Sequence, residues 1–124
     1  MTDIAVPVPA TKRKLLAQIV CWTLSILLAF VFTMAGGMKL LSRPAMVQEF
    51  ALVGLGQWFR YFTGVLEVGG AIGVLVPRFS RWAALLLAVV MAGAIVAHLT
   101  VLHSPPLLPV ILLIWALSVA WLRR

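Results

Sequence analysis

The sequence contains little charge and few of the side chains that soluble enzymes use for chemistry. Only 10% of its 124 residues are charged, and the acidic residues number three, namely Asp3, Glu49 and Glu67. Hydrophobic residues make up 64% of the chain. A soluble domain of this size cannot bury so much apolar surface, so we expect the lipid bilayer to be its solvent. The sequence has no glycine-rich phosphate loop, no nucleophile elbow and no carboxylate pair, which excludes hydrolase or kinase chemistry of the soluble type.

Cysteine and histidine are equally scarce. The single cysteine, Cys21, lies in the first apolar run and has no partner for a disulfide or a CxxC redox pair, so thiol–disulfide exchange is not expected. His98 and His103 are five residues apart and do not share a helix face, so we predict no metal site. The net charge of +7 comes from short basic clusters between apolar runs, a pattern typical of membrane loops rather than of nucleic-acid binding.

Four apolar stretches predict membrane spans at about residues 15–35, 61–76, 82–102 and 106–122. We expect Gly36 and Gly37 to end the first of these helices. They define a membrane domain over residues 15–122, between an N-terminal tail of residues 1–14 and a basic end at residues 123–124. The first run is longer than the roughly 7–15 residues of a signal-peptide core, so we interpret it as an uncleaved anchor. The second and fourth spans are short for a hydrocarbon core of about 30 Å. The predicted fold is an all-α integral membrane protein, an antiparallel bundle of four transmembrane helices.

The distribution of basic residues predicts the orientation of these spans. With the N-terminus in the cytoplasm, seven of the ten Lys and Arg residues fall on the cytoplasmic side, as the positive-inside rule requires. We therefore expect a multi-pass protein of the bacterial inner membrane with both termini in the cytoplasm. The residues on the cytoplasmic side are Lys12, Arg13, Lys14, Arg78, Arg81, Arg123 and Arg124, and those opposite are Lys39, Arg43 and Arg60.

Rows of small residues, several of them four apart, predict close helix packing in the second and third spans. Small-xxx-small spacing lets helix backbones approach each other in lipid. The predicted packing positions are Gly64, Gly69, Gly73, Ala88, Ala92 and Gly93.

Glu67 is the most informative residue, because it is an ionisable group within an apolar span. Such a group costs roughly 2.5 kcal/mol or more at a helix centre and usually has a partner or a function. On the predicted topology, Lys39 and His98 lie at the same depth near the outer face. Glu67 is then either neutral and hydrogen-bonded, or ionised and paired with Lys39 or His98. The cluster of Lys39, Glu67 and His98 could bind a polar headgroup such as a quinone carbonyl, relay a proton, or serve only as a structural ion pair.

The stretch from residue 45 to residue 60 is moderately amphipathic and lies outside the predicted spans. It includes the aromatic pair Trp58 and Phe59. Such a segment can lie on the membrane surface as an interfacial helix or fold over the polar cluster as a lid. The sequence leaves both arrangements open.

The same residues resemble the DoxX-like family of small four-helix bacterial membrane proteins. Residues 32–40 at the end of the first span are similar to the family's F-x-x-x-G-x-x-K pattern, and the likeness continues through residues 64–70, 81–84 and 94–99. It covers residues 15–98, with a less distinctive fourth span. The family is named for a subunit of a thiosulfate:quinone oxidoreductase. The resemblance implies a fold and a membrane setting, and by position it makes Lys39, Glu67 and His98 the family's polar residues.

Three functions are compatible with this sequence. The first is an accessory or interaction subunit that supports a membrane redox or transport partner, or that associates with a second copy of itself. The second is a quinone-binding subunit of an oxidoreductase, with quinone as the expected ligand and no intrinsic cofactor. The third is a small proton-coupled transporter. Known exporters of that size carry their essential carboxylate in the first span, whereas this chain has none there, which disfavours the third function.

Overall fold

The computed structural model describes residues 9–124, which are almost entirely helical. The first eight residues of the predicted N-terminal tail lie outside the described part. The helices are α1 (Ala10–Leu40), α2 (Pro44–Val53), α3 (Gln57–Leu75), α4 (Ser80–Ala97) and α5 (Leu107–Leu122). A π-helix at His98–Leu102 continues α4.

Helix α1 is longer than the predicted first span. It runs for 31 residues and passes through Gly36 and Gly37, which we expected to end it. The chain turns only at Ser42, whose φ of 57° is left-handed. Glycine costs a helix roughly 1 kcal/mol relative to alanine, so a helix supported by packing on one side can contain it.

The stretch at residues 45–60 is divided between two helices. Helix α2 ends at Gly54 (φ 82°), and α3 begins directly after Gly56 (φ 97°). Both positions have backbone conformations that glycine adopts without steric cost. The two glycines therefore turn the chain sharply enough for α2 to pack back on α3.

The four long helices pack in a closed ring, with α1 against α3, α3 against α4, α4 against α5, and α5 against α1. The core inside the ring is aliphatic and aromatic, and Leu28, Phe32, Leu87 and Val119 are fully buried there. The indole nitrogen of Trp115 donates a 3.1 Å hydrogen bond to the carbonyl oxygen of Leu24, which fixes α5 against α1. Helix α2 lies outside this ring and contacts α1, α3 and the π-helix.

Glycines bring α3 into close contact with both α1 and α4. Only some of these glycines are at the predicted packing positions. A Cβ atom on Gly36 would lie 2.8 Å from the carbonyl oxygen of Gly64, and one on Gly64 would lie 3.0 Å from that of Gly36. On the other side of α3, a Cβ on Gly70 would lie 2.6 Å from Leu87, and one on Gly73 would lie 2.8 Å from Ala83. Without a Cβ at these positions, the backbones can approach each other closely.

Three of the predicted packing positions make no close helix contact within residues 9–124. Gly69, Ala92 and Gly93 are exposed, and the space around Gly69 and Gly93 is open. Ala88 is buried in the core. The physical reason is rotational phase, because α3 turns Gly70 rather than Gly69 towards α4. Residues one apart on a helix point about 100° from each other, so a shift of one position changes the face.

Two segments are long and apolar enough to cross a membrane by length and composition, Ala10–Leu40 and Ser80–Leu102. Helix α5 is also apolar but spans only 16 residues. Helix α3 has 19 residues and contains buried Glu67 and Arg60. The described chain is therefore helical, with two segments of membrane-spanning character.

Candidate functional site: an ion pair beside an apolar cavity

Lys39 and Glu67 form a buried ion pair between the last turn of α1 and the middle of α3. The ammonium nitrogen lies 3.0 Å from Oε1 and 3.0 Å from Oε2 of the carboxylate. The Glu67 side chain is 1% exposed and that of Lys39 is 13% exposed. Of the arrangements that the sequence left open, the structure therefore shows the pair with Lys39.

The close contact between Gly36 and Gly64 determines where this ion pair lies. Lys39 follows Gly36 by three residues on α1, and Glu67 follows Gly64 by three residues on α3. Helical side chains lean towards the N-terminus of their own helix. Lys39 therefore leans back into the protein from the end of α1, while Glu67 leans towards the start of α3. Both groups converge on the point where the two backbones meet.

Arg60 is buried beside the ion pair and holds the end of α1. Its Nη1 donates to the main-chain carbonyl of Lys39 and to Oγ of Ser42, the latter at 2.8 Å. Its Nε donates to Oε1 of Gln57 at 2.7 Å. A cation at a helix C-terminus satisfies unpaired carbonyl groups and interacts favourably with the helix dipole. Arg60 thus fixes the backbone from which the Lys39 side chain extends.

A second bond of Gln57 extends this network to α2. Gln57 Nε2 donates to the carbonyl oxygen of Val47 at 3.1 Å. Sequence reasoning treated Arg60 only as a charge on the outer side and overlooked Gln57. The spacing of the two residues, three apart on one helix face, is a signal that could have indicated their interaction.

His98, directly after the end of α4, interacts with α2 rather than with Glu67. Its Nδ1 is 2.8 Å from the carbonyl oxygen of Ala94, and its Nε2 is 3.9 Å from Oε1 of Glu49. The π-helix begins at His98, and such segments occur frequently at functional sites. Sequence reasoning did not select Glu49, although it is one of only three acidic residues in the chain.

A cavity of about 570 Å³ joins these groups. Lys39, Glu49, Glu67 and His98 all contribute to its lining, and most of the remaining wall is apolar. Helix α2 covers one side of the cavity. Of the two arrangements considered for residues 45–60, this corresponds to the lid. The aromatic and thioether side chains of the wall are Met38, Met46, Phe50, Phe59, Phe62 and Met91.

Comparison with known proteins identifies the family. A model described as the DoxX-like family matches residues 23–121. The chain belongs to the DoxX-like family. This confirms the family suggested by the sequence motifs.

One curated relative of this DoxX-like chain is a Bacillus subtilis (strain 168) protein named "Uncharacterized protein YdgD". The two are 39% identical over 74 residues, which cover 56% of this chain and 65% of that protein. The similarity thus spans a little under two thirds of the relative's length. No solved structure matches the chain.

The structure gives a physical role to each position of the F-x-x-x-G-x-x-K pattern in this DoxX-like chain. Phe32 is fully buried in the core, Gly36 permits the contact between α1 and α3, and Lys39 forms the ion pair with Glu67. The intervals of four and three residues place all three on one face of α1. The pattern therefore describes a single helix face that packs on α3 and ends in a cation.

Proposed function

We propose that this DoxX-like protein binds a small amphipathic molecule of the quinone class in its cavity and serves as an accessory subunit of a membrane redox system. The observation that carries the proposal is the position of the Lys39–Glu67 pair, Glu49 and His98 on the walls of a cavity that is otherwise mostly apolar. A ligand site of this kind combines apolar and aromatic walls with a few convergent polar groups.

The composition of the cavity suits a planar ring with carbonyl groups. Its volume of about 570 Å³ falls within the range of roughly 300–1,000 Å³ that is usual for small-molecule sites. Phe59 and Phe62 supply ring faces, with their centroids 6.2 Å apart. The Lys39 ammonium group, and His98 in a protonated form, can donate to a carbonyl oxygen. An apolar tail on the ligand would extend into the surrounding lipid.

Quinone reduction consumes two electrons and two protons. The side chains of this cavity can exchange the protons but do not supply the electrons. Glu49, Glu67 and His98 are groups that exchange protons. The single cysteine, Cys21, cannot form a dithiol pair and lies in the core rather than in the cavity. A partner protein would therefore deliver the electrons, which is the reason for proposing an accessory subunit.

The proposed setting is the bacterial inner membrane, with α1, α3, α4 and α5 as an antiparallel four-helix bundle and both termini in the cytoplasm. Two segments of spanning character, the closed ring of helix contacts and family membership support this arrangement. At 1.5 Å per residue, α3 and α5 extend about 29 Å and 24 Å, close to a hydrocarbon core of about 30 Å.

Direct titration of the purified protein with a short-tailed quinone tests the ligand. We expect saturable binding that weakens about tenfold in Lys39→Gln, because a shorter, uncharged amide replaces the ammonium donor to the carbonyl. Lys14→Gln, which changes an exposed lysine near the start of α1, is the matched control and should bind as the wild type does. Binding that is absent, or that is equal in both variants, would contradict the proposal.

A second pair of variants keeps the test independent of the ion pair. Phe62→Ala removes a ring from the cavity wall, while Phe30→Ala removes an exposed ring on α1 that lies outside it. We expect only the first to weaken quinone binding.

The accessory role is tested separately, by isolating the protein in a mild detergent and identifying any redox protein that remains bound in a stoichiometric amount.

A further inference from the structure

The end of the protein away from the cavity carries many cations and no side-chain anion among residues 9–124. Arg123, at the end of α5, contacts Trp22 of α1, which is 17 positions and so about 25 Å along the helix from Lys39. The two acidic side chains of the described chain, Glu49 and Glu67, both lie at the cavity. The basic residues at this end are Lys12, Arg13, Lys14, Arg78, Arg81, Arg123 and Arg124.

Arg123 is the most unusual of these residues, because part of its guanidinium group is buried without a partner. The Nε and Nη2 atoms are inaccessible to solvent and make no hydrogen bond within residues 9–124. The guanidinium carbon lies 4.6 Å from the centre of the Trp22 ring. A guanidinium has five N–H donors, and leaving charged donors unsatisfied is costly. The indole ring attracts the cation but accepts no in-plane hydrogen bond.

Neighbouring arginines show the same stacking without the burial. The guanidinium carbon of Arg124 lies 4.4 Å from the centre of the Trp121 ring, and that of Arg81 lies 5.4 Å from the Trp82 ring. Both indoles are largely exposed, as is usual for tryptophans at a membrane interface. Stacking occupies the face of a guanidinium and leaves its edge free for an oxyanion.

The surface beside Trp22 is apolar and exposed. Ile19 and Ile26, on the same side of α1 as Trp22, are 52% and 53% exposed. This strip continues from the guanidinium of Arg123 along the helix. The part of the strip from Trp22 past Ile26 can therefore accommodate a hydrocarbon chain, while the arginine supplies a cation at its Trp22 end.

We propose that Arg123, stacked on Trp22, binds the phosphate of an anionic phospholipid whose acyl chain lies along α1 from Trp22 past Ile26. The phosphate accepts hydrogen bonds from the guanidinium edge that carries Nε and Nη2, which a small rotation of the group in its own plane, with the contact to the Trp22 ring kept, makes accessible. The surrounding cations add to the attraction of this end for an anionic leaflet. This site is separate from the cavity, and the proposal does not depend on the ligand proposed there.

Native mass spectrometry of the full chain in a mild detergent tests the proposal. The protein is titrated with phosphatidylglycerol or with phosphatidylcholine of the same acyl chains, and the retained lipid is counted. We expect the wild type to retain phosphatidylglycerol preferentially, and Arg123→Gln to lower that retention about tenfold. Arg43→Gln, an exposed arginine at the opposite end, is the matched control and should have no effect.

Two outcomes would overturn the proposal, namely equal retention of the two lipids by the wild type and undiminished retention in Arg123→Gln. Excess inorganic phosphate should not displace the lipid, and displacement would show that the site takes a free anion instead. If Arg123→Gln does not fold, a photoactivatable phosphatidylglycerol decides the question with the wild type. It should cross-link to the segment around Trp22, and labelling confined to other segments would contradict the proposed site.

Discussion

The ammonium group of Lys39 lies 3.0 Å from each carboxylate oxygen of Glu67, so a single ion pair joins the end of α1 to the middle of α3. The carboxylate is 1% exposed, and the pair lies on the wall of the cavity. Each charge is stable in this apolar setting because the other is present. The pair is thus both a link between two helices and the polar end of the proposed ligand site.

Removing one member of the pair should destabilise the protein more than removing both. Lys39→Met leaves a buried carboxylate without its cation, and breaking a buried pair in this way costs roughly 3 kcal/mol. Glu67→Met leaves the ammonium group without its anion. The double variant Lys39→Met/Glu67→Met removes both charges and should recover most of the loss. Thermal unfolding of the four proteins in one detergent measures the coupling, and additive losses would contradict a direct ion pair.

Gly36 and Gly37 should respond in opposite ways to alanine. A Cβ on Gly36 would lie 2.8 Å from the carbonyl oxygen of Gly64, so Gly36→Ala should separate α1 from α3 and cost about 1–3 kcal/mol. No atom lies within 4 Å of a Cβ on Gly37. Gly37→Ala should therefore be neutral or stabilising by up to about 1 kcal/mol, through helix propensity. Equal changes in melting temperature would contradict the observed contact.

Arg60→Met should loosen the end of α1 as well as lower stability. The change removes the donors to the Lys39 carbonyl, Ser42 and Gln57, and we expect a loss of about 2 kcal/mol or more. Hydrogen exchange of the amides at residues 39–43 should become faster. Arg43→Met, at an exposed arginine close by, is the control. Unchanged exchange in Arg60→Met would show that the arginine does not hold this turn.

The contact between Glu49 and His98 should help to keep α2 over the cavity. We expect Glu49→Gln to increase the reaction rate of a cysteine placed at Met46, in a Cys21→Ala background, because the 3.9 Å contact with His98 is weakened. His98→Asn should have a similar effect, whereas His103→Asn, at an exposed histidine, should not. Labelling independent of both residues would mean that apolar packing alone holds α2.

The sequence predicted the helical composition and the family, and it singled out Glu67, because each of these depends on local pattern or composition. The rotation of α3 about its axis cannot be read from the sequence. For this reason we expected Gly69 to pack, whereas Gly70 packs against α4 in the structure. We also expected Gly36 and Gly37 to end α1. Whether a glycine breaks a helix or permits a close contact depends on the neighbouring helix, which is not known from the sequence alone.

Arg60 and Glu49 were overlooked for a related reason. Arg60 lies near the start of α3, where a charge is usually solvated, and it is buried only because the end of α1 and Gln57 surround it. Glu49 reaches His98 because the glycine turns at residues 54 and 56 fold α2 back over the cavity. Both interactions are tertiary. Lys39, Glu67 and His98, which the sequence placed at the same depth in the membrane, nevertheless all line one cavity.

Mass spectrometry of small molecules retained by the protein after gentle purification from its native membrane tests the central claim most directly. We predict that the wild type carries a quinone-type molecule close to one per chain, and that Lys39→Gln and Phe62→Ala lose it while Lys14→Gln and Phe30→Ala retain it. A folded wild-type protein that carries no such molecule, or cavity variants that carry as much as the controls, would contradict the account.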